Sequence, residues 1–339
     1  MTPRERFIKA LNREPHTGLV PHFELVFFLT MEAIGRVHPS HRHYKQWHQM
    51  SRTEQKLQML DMAHCYIDIA EKYAHSAIFV HPNPNPGKLW GRDDSPVIEI
   101  LNTIRELSGD KYFIMLHGDP TFSIPDGDNM MEFSARMYEE PETLHKQAKT
   151  SMERYMLLAD TLSRHKGLLD GFALCSDYCF NVNPFFTREL FAEFVQPYLR
   201  DIIAHYRSLG YYTIKHTDGN IMPILDMMVD CQPHALHSLD PQGGVDLGEV
   251  KRLVGNKVCL IGNVNCGLMQ TGSEEQLIAD TRRSLRQGMP GYGYIFSTSN
   301  CAYTGLALER YELMHNVWEK EGVYPDPDLK HDGLISVWI

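Results

Sequence analysis

Short apolar segments alternate with helical patterns along nearly the whole of this 339-residue chain. Eight of them read as strands: Leu19–Leu25, Ala77–His81, Tyr112–His117, Phe172–Asp177, Tyr211–His216, Ala235–Leu239, Val258–Asn263 and Gly293–Ser297. Helical periodicity follows the later ones, over Arg188–Leu209, Ile221–Val229, Gly248–Leu253, Ser273–Arg286 and Leu308–Glu319. Regular alternation of this kind predicts an α/β fold, a (β/α)8 TIM barrel. A doubly wound sheet is the rival, but no G-x-G-x-x-G follows any strand. The connections after the first and third strands are long, enough for extra helices and a lid. A single domain over residues 1–339 is expected. Residues 1–18 supply an amphipathic N-terminal helix, and residues 324–339 a surface extension with an apolar end, Leu334 to Ile339.

Composition narrows the function classes. Apolar residues make up 43% of the chain, enough for a large core, yet no run approaches the roughly 18 residues of a membrane span. The net charge of -10 argues against nucleic acid and against anionic membrane surfaces. The seven cysteines are scattered, with no C-x-x-C pair, which fits reduced thiols in a cytoplasmic protein.

Chemistry in this barrel gathers at the carboxyl ends of the strands. Those ends carry Glu24, His81, His117, Asp177 with Tyr178, His216 with Asp218, His237 with Asp240, Asn263 with Asn265, and Ser299 to Cys301. His216 and Asp218 stand two apart on one strand tip and therefore project together. Such a pair binds a metal or handles a proton. Glu24 lies among apolar neighbours, so it needs a partner or a raised pKa. The expected acid–base or ligand groups are His216, Asp218, Glu24, His81 and His117. Asp177, Tyr178, Phe180, His237 and Asn263 are expected to contact substrate, with Phe180, Phe185 and Phe186 as an aromatic wall.

Several segments carry a resemblance in a fixed order. They are Arg4 to Pro15, Arg188-Glu189-Leu190-Phe191 with Pro197-Tyr198, His216-Thr217-Asp218-Gly219-Asn220, Gly244-Val245-Asp246-Leu247, Leu260 to Asn265, Thr271 to Glu275, and Gly291 to Phe296. Across essentially its whole length the chain resembles the uroporphyrinogen decarboxylase superfamily. That likeness implies a (β/α)8 barrel. It implies either a cofactor-free decarboxylase or a corrinoid-linked methyltransferase holding zinc on a His-x-Cys motif and a distant cysteine. The decarboxylase branch fits less well. Its arginine-bearing segment after the first strand is here Phe27 to Gly35 with no arginine before Arg36, and His81 stands at its catalytic aspartate.

The methyltransferase branch fits better, with Asp218 where the first cysteine belongs and Cys301 near the second. The zinc ligands it implies are His216, Asp218 and Cys301, with one position open. A carboxylate in place of a thiolate suits a Lewis acid that polarises a methyl donor. The expectation is a methyltransferase moving a methyl group from a small donor, such as a methoxylated aromatic, to the Co(I) corrinoid of a separate protein. No cobalamin-binding D-x-H-x-x-G occurs in these residues. A decarboxylase of a small carboxylic acid is the alternative. A homodimer is the expected assembly.

Overall fold

The computed structural model describes residues 1–81, 83–85, 87 and 90–325. Seven parallel strands pair side by side in chain order: β2 (Ala77–Val80), β3 (Phe113–His117), β4 (Gly171–Leu174), β5 (Tyr212–Thr217), β6 (Ala235–Ser238), β7 (Cys259–Val264) and β8 (Tyr294–Thr298). Each lies within two or three residues of its expected span.

The eighth expected strand forms differently. Of Leu19–Leu25, only the start is regular: β1 (Gly18–Leu19) pairs antiparallel with β9 (Val323–Tyr324) outside the barrel. The cause is Pro21, which has no N–H to give a ladder. The segment still runs where the barrel needs it. Phe296 N–H donates to Pro21 O (2.8 Å), Phe23 N–H to Phe296 O (3.4 Å), and Ser76 N–H to His22 O (2.6 Å). The ring thus closes between β8 and β2 through single bonds. His22 reinforces the closure with its side chain, Nδ1 lying 3.1 Å from Phe296 O and Nε2 3.0 Å from the Tyr311 hydroxyl.

Two core layers follow from the period-two alternation of strand side chains. Phe23, Leu25, Phe79, Met115, Ala173, Ile214 and Ile261 fill the inside, while a larger layer sits between strands and outer helices. Thr2 and Glu5 form a capping box that starts the helix Pro3–Leu11. Its buried face, Phe7, Ala10 and Leu11, joins the inner core. Phe7 meets the rings of Phe113 and Phe23 at 4.8 and 5.4 Å. This helix plugs the amino-terminal end and leaves the carboxyl end for chemistry.

The long connections hold helices, as expected: Arg52–Lys72 and Pro96–Ser108 around β2, Met130–Glu139 and Pro141–Ser163 after β3. The continuous helix expected over Arg188–Leu209 is two, Arg188–Phe194 and Gln196–Ser208, because Pro197 belongs to a first turn. Tyr324, the first residue of the expected extension, is instead a buried member of β9. The apolar end, Leu334 to Ile339, lies outside the described residues, as do Pro82 and Pro86. No helix among the described residues is long and apolar enough to cross a membrane.

Candidate active site

Ile214 faces the inner core, so two steps along β5 His216 faces the same way, and Asp218 follows just past the strand. β4 and β5 pair in parallel with Ala173 opposite Ile214. Asp177, four residues beyond Ala173, therefore reaches the same mouth. The ligand atoms of Asp177, His216 and Asp218 all lie within 4.8 Å of one another. His216 Nε2 is 3.7 Å from Asp177 Oδ1 and 3.8 Å from Asp218 Oδ1. These gaps are too long for hydrogen bonds and suit groups surrounding a shared cation.

The other ring nitrogen fixes the tautomer. His216 Nδ1 lies 2.7 Å from His237 Nδ1. If Nε2 is to offer a lone pair to a ligand, Nδ1 carries the proton and donates it to His237. His237 is 1% exposed, and burial next to His216 pushes its pKa well below the usual range. It is therefore neutral and able to accept at Nδ1.

Asp218 is held as firmly. Ser238 Oγ donates to Oδ1 (2.8 Å) and Asn300 Nδ2 to Oδ2 (2.5 Å). Its own N–H donates to Asp177 Oδ1 (3.1 Å). Burial raises the Asp218 pKa, His216 opposes that, and Asp177 adds like-charge repulsion. Two carboxylates converging on one imidazole, with no side-chain cation among the described residues touching them, are the electrostatic setting a divalent ion relieves. Two oxygens and one nitrogen, with room for a fourth ligand, fit zinc.

The loop after β5 is locked against the loop after β4. Gly219 has φ +77°, and a Cβ there would stand 2.6 Å from Cys179 O. Asn220 N–H donates to Phe180 O (2.9 Å). This clasp fixes Asp177 relative to Asp218.

The remaining expected residues fall in different places. Cys301 lies outside the group of three, and Asp177 takes the third place. Burial pushes the Cys301 thiol up, which disfavours the thiolate. Its neighbour Asn300 is the residue that reaches the triad. Glu24 turns to β8, accepting from Thr298 Oγ1 (2.5 Å) and Ser297 Oγ (3.1 Å). Burial pushes its pKa to about 8, so it is a neutral acid at neutral pH.

His81 and His117 follow β2 and end β3 at the same rim. Burial pushes His81 down to about 4 and lowers His117, so both imidazoles are neutral there. They are suited to accepting a proton or ligating, rather than to the acid role also expected of them. Phe180 is 38% exposed beside Phe185, whereas Phe186, expected in the same wall, is 1% exposed and packs in the outer core layer.

Tyr178, Asn263 and His237 depart from the expected substrate contact, His237 being buried against His216. Tyr178 is wholly buried in the outer core layer, its hydroxyl 2.6 Å from Thr121 Oγ1. The reason is alternation: with Asp177 turned inward, its successor turns outward. Asn263 is also fully buried. Its Nδ2 donates to Leu239 O (2.7 Å) and its Oδ1 accepts from Arg283 (3.1 Å), which ties the end of β7 to the helix Glu274–Gly288.

Sequence reading passed over one feature next to this centre. Lys215 and Asp119 form an ion pair of 2.7 Å with both side chains at 0% exposure. Lys215 Nζ also donates to Ser176 O (2.7 Å) and Leu174 O (3.3 Å), 4.0 Å from the centre of the Tyr178 ring. Burial alone would raise the Asp119 carboxyl. The Lys215 ammonium, Thr121 and Ser176 outweigh it and hold it at about 2. The signal was available, because a lysine inside an apolar strand requires a buried anion.

Residues 124–320 match the uroporphyrinogen decarboxylase (URO-D) family, more than half of the chain. The chain belongs to this family. A methyltransferase from Methanosarcina mazei superposes on it with a TM-score of 0.70 at 18% identity, covering 94% of this chain and 99% of that one. The URO-D barrel found here is thus also the fold of that methyltransferase. More distant likenesses include a β-mannanase from the blue mussel Mytilus edulis (TM-score 0.44, 11% identity, 82% of this chain and 88% of that one). A D-psicose 3-epimerase is similarly remote (TM-score 0.43, 9% identity, 74% and 90%). No curated protein sequence matches the chain significantly.

Proposed function

We propose that this protein is a methyltransferase that takes a methyl group from a small O-methyl donor, a methoxylated aromatic being the favoured class. The acceptor is the reduced corrinoid of a separate protein. The observation that carries the reading is the convergence of Asp177, His216 and Asp218 at the barrel mouth. Shared architecture with the Methanosarcina mazei methyltransferase supports it.

A zinc ion on these three residues would act as a Lewis acid toward the donor's ether oxygen, easing its departure as an alkoxide or phenoxide. The chain's own groups prepare that site. His237 accepts the Nδ1 proton of His216 and so keeps Nε2 free. Ser238 and Asn300 hold the Asp218 carboxylate in one orientation. Phe180 and Phe185 offer an apolar wall for an aromatic ring. Neutral His81 and His117 keep extra positive charge off the rim.

The decarboxylase reading draws less support. Among the described residues the side chains that touch His216 and Asp218 are histidine, aspartate, serine and asparagine, with no cation to grip a substrate carboxylate. The test is to supply purified protein with a reduced corrinoid protein and a panel of methoxylated aromatics. Methylcobalamin and the free phenol should form together, and His216→Ala should abolish both. Loss of carbon dioxide from an acid substrate, with no methyl transfer from any ether, would replace this reading.

A further inference from the structure

The end of the barrel opposite the mouth holds a second pocket, of about 650 Å3. It lies where the helix Pro3–Leu11 ends, beneath β5 and β6. Arg13, Arg207, Lys257 and His234 line it, with Asp230 as the one acid in its lining. On a chain of net charge -10, three cations around one cavity stand out. Among the described residues none of the three is paired with a carboxylate. Arg13 reaches only Leu11 O (3.5 Å), and Arg207 donates to Gln232 O (3.1 Å).

Hydrogen-bond bookkeeping at His234 sharpens the point. The backbone N–H of Thr213 donates to His234 Nδ1 (3.0 Å). Nδ1 is therefore an acceptor, and the neutral ring carries its proton on Nε2. That Nε2–H lies 3.2 Å from Arg207 Nη1, which can only donate. Arg207 Nη1 is also 3.5 Å from Nδ1, so the guanidinium lies over the ring, and the Nε2–H beside it has no acceptor among the described residues. Burial, with Arg207 and Arg13 nearby, pushes the His234 pKa down to about 4, so the ring remains an uncharged donor at neutral pH. An anion is the group that answers both donors.

We propose that this pocket binds a phosphate-bearing small molecule, its phosphate accepting from Arg207 and His234 Nε2–H with Arg13 and Lys257 as further counter-charges. The volume admits more than a bare phosphate, so a phosphoester or diphosphate is the class expected. The location gives it a structural consequence. Thr213 on β5 and His234 just before β6 stand three residues before His216 and His237. Bound anion would therefore clamp the feet of the two strands whose tips carry the metal-facing histidine and its partner.

The test is calorimetric titration of the whole protein with inorganic phosphate and with pyrophosphate, at constant ionic strength set by chloride. Wild type should bind pyrophosphate saturably, and more tightly than phosphate. Lys257→Gln, at an exposed position, and Arg207→Gln should each weaken binding about tenfold. His216→Ala, at the other end of the barrel, should bind as wild type does, which separates this site from phosphate taken by a metal at the mouth. No saturable binding, unchanged affinity in both cation variants, or loss of binding in His216→Ala would each overturn the proposal.

Discussion

At the scale of single residues, the triad makes a metal prediction that separates two ligand sets. With Asp177, His216 and Asp218 as ligands, purified protein should carry about one zinc per chain. His216→Ala and Asp218→Ala should lose it, and Asp177→Asn should hold it more weakly under a chelator. Cys301→Ser should keep it, because Cys301 is not in the converging group. Elemental mass spectrometry of the four variants decides, and metal loss in Cys301→Ser would restore the cysteine as a ligand. His237 acts one step out. His237→Phe removes the acceptor for the His216 Nδ1 proton, and metal affinity should fall by ~10–100-fold with the fold intact. Competition against a fluorescent zinc chelator would measure it. The pair His216 and Asp218 was legible from strand alternation alone. Asp177 was read as a substrate contact, since nothing in sequence fixes how closely β4 and β5 bring their loops together. Ser238 was missed and Asn300 was named only within the Ser299 to Cys301 rim, because short polar side chains reveal a role only through the partner they face.

At the scale of elements, β5 carries His216 of the converging triad on its inner face and a buried charge on its outer face. Lys215→Met strands the Asp119 carboxylate without its partner in a fully buried place. The expected loss is ~3–5 kcal/mol, read from the denaturation midpoint and slope. Adding Asp119→Leu should return much of it, since no uncompensated charge then remains. A single variant as stable as wild type would mean that the pair contributes little. The clasp between the loops after β4 and β5 depends on Gly219. Gly219→Ala meets both an unfavourable φ and the Cys179 carbonyl, and should cost ~1–3 kcal/mol. It should weaken zinc binding as well, because the clasp sets the Asp177–Asp218 spacing. Seven strands were visible as apolar runs. The eighth was visible as a run but not as a ladder, since Pro21 leaves closure to isolated bonds and to the His22 side chain.

At the scale of the whole molecule, buried titratable groups shape stability against pH from both sides. The pKa of Glu24 is raised in the fold from 4.5 to about 8. The folded state therefore holds this proton more tightly, and the stability it lends is complete below about 4.5 and lost as pH climbs to 8. His81 and His75 are lowered from 6.5 to about 4 and about 3. Their contribution is complete above 6.5 and lost as pH falls through those lower values. Glu24→Gln keeps the neutral shape and removes the first effect alone. Its melting temperature should gain on wild type as pH rises from about 4.5 to about 8 and level off above that, and parallel curves would refute a protonated Glu24. By itself the sequence determined the barrel, its polar rim and the direction of His216 and Asp218. Each rests on local periodicity, which a chain carries in its own order. Only the tertiary structure decided which carboxylate joins that pair, which histidine sets its tautomer, and that Tyr178 and Asn263 turn away from the mouth. Those outcomes depend on register between strands and on side chains far apart in the chain, and no local pattern encodes such distances.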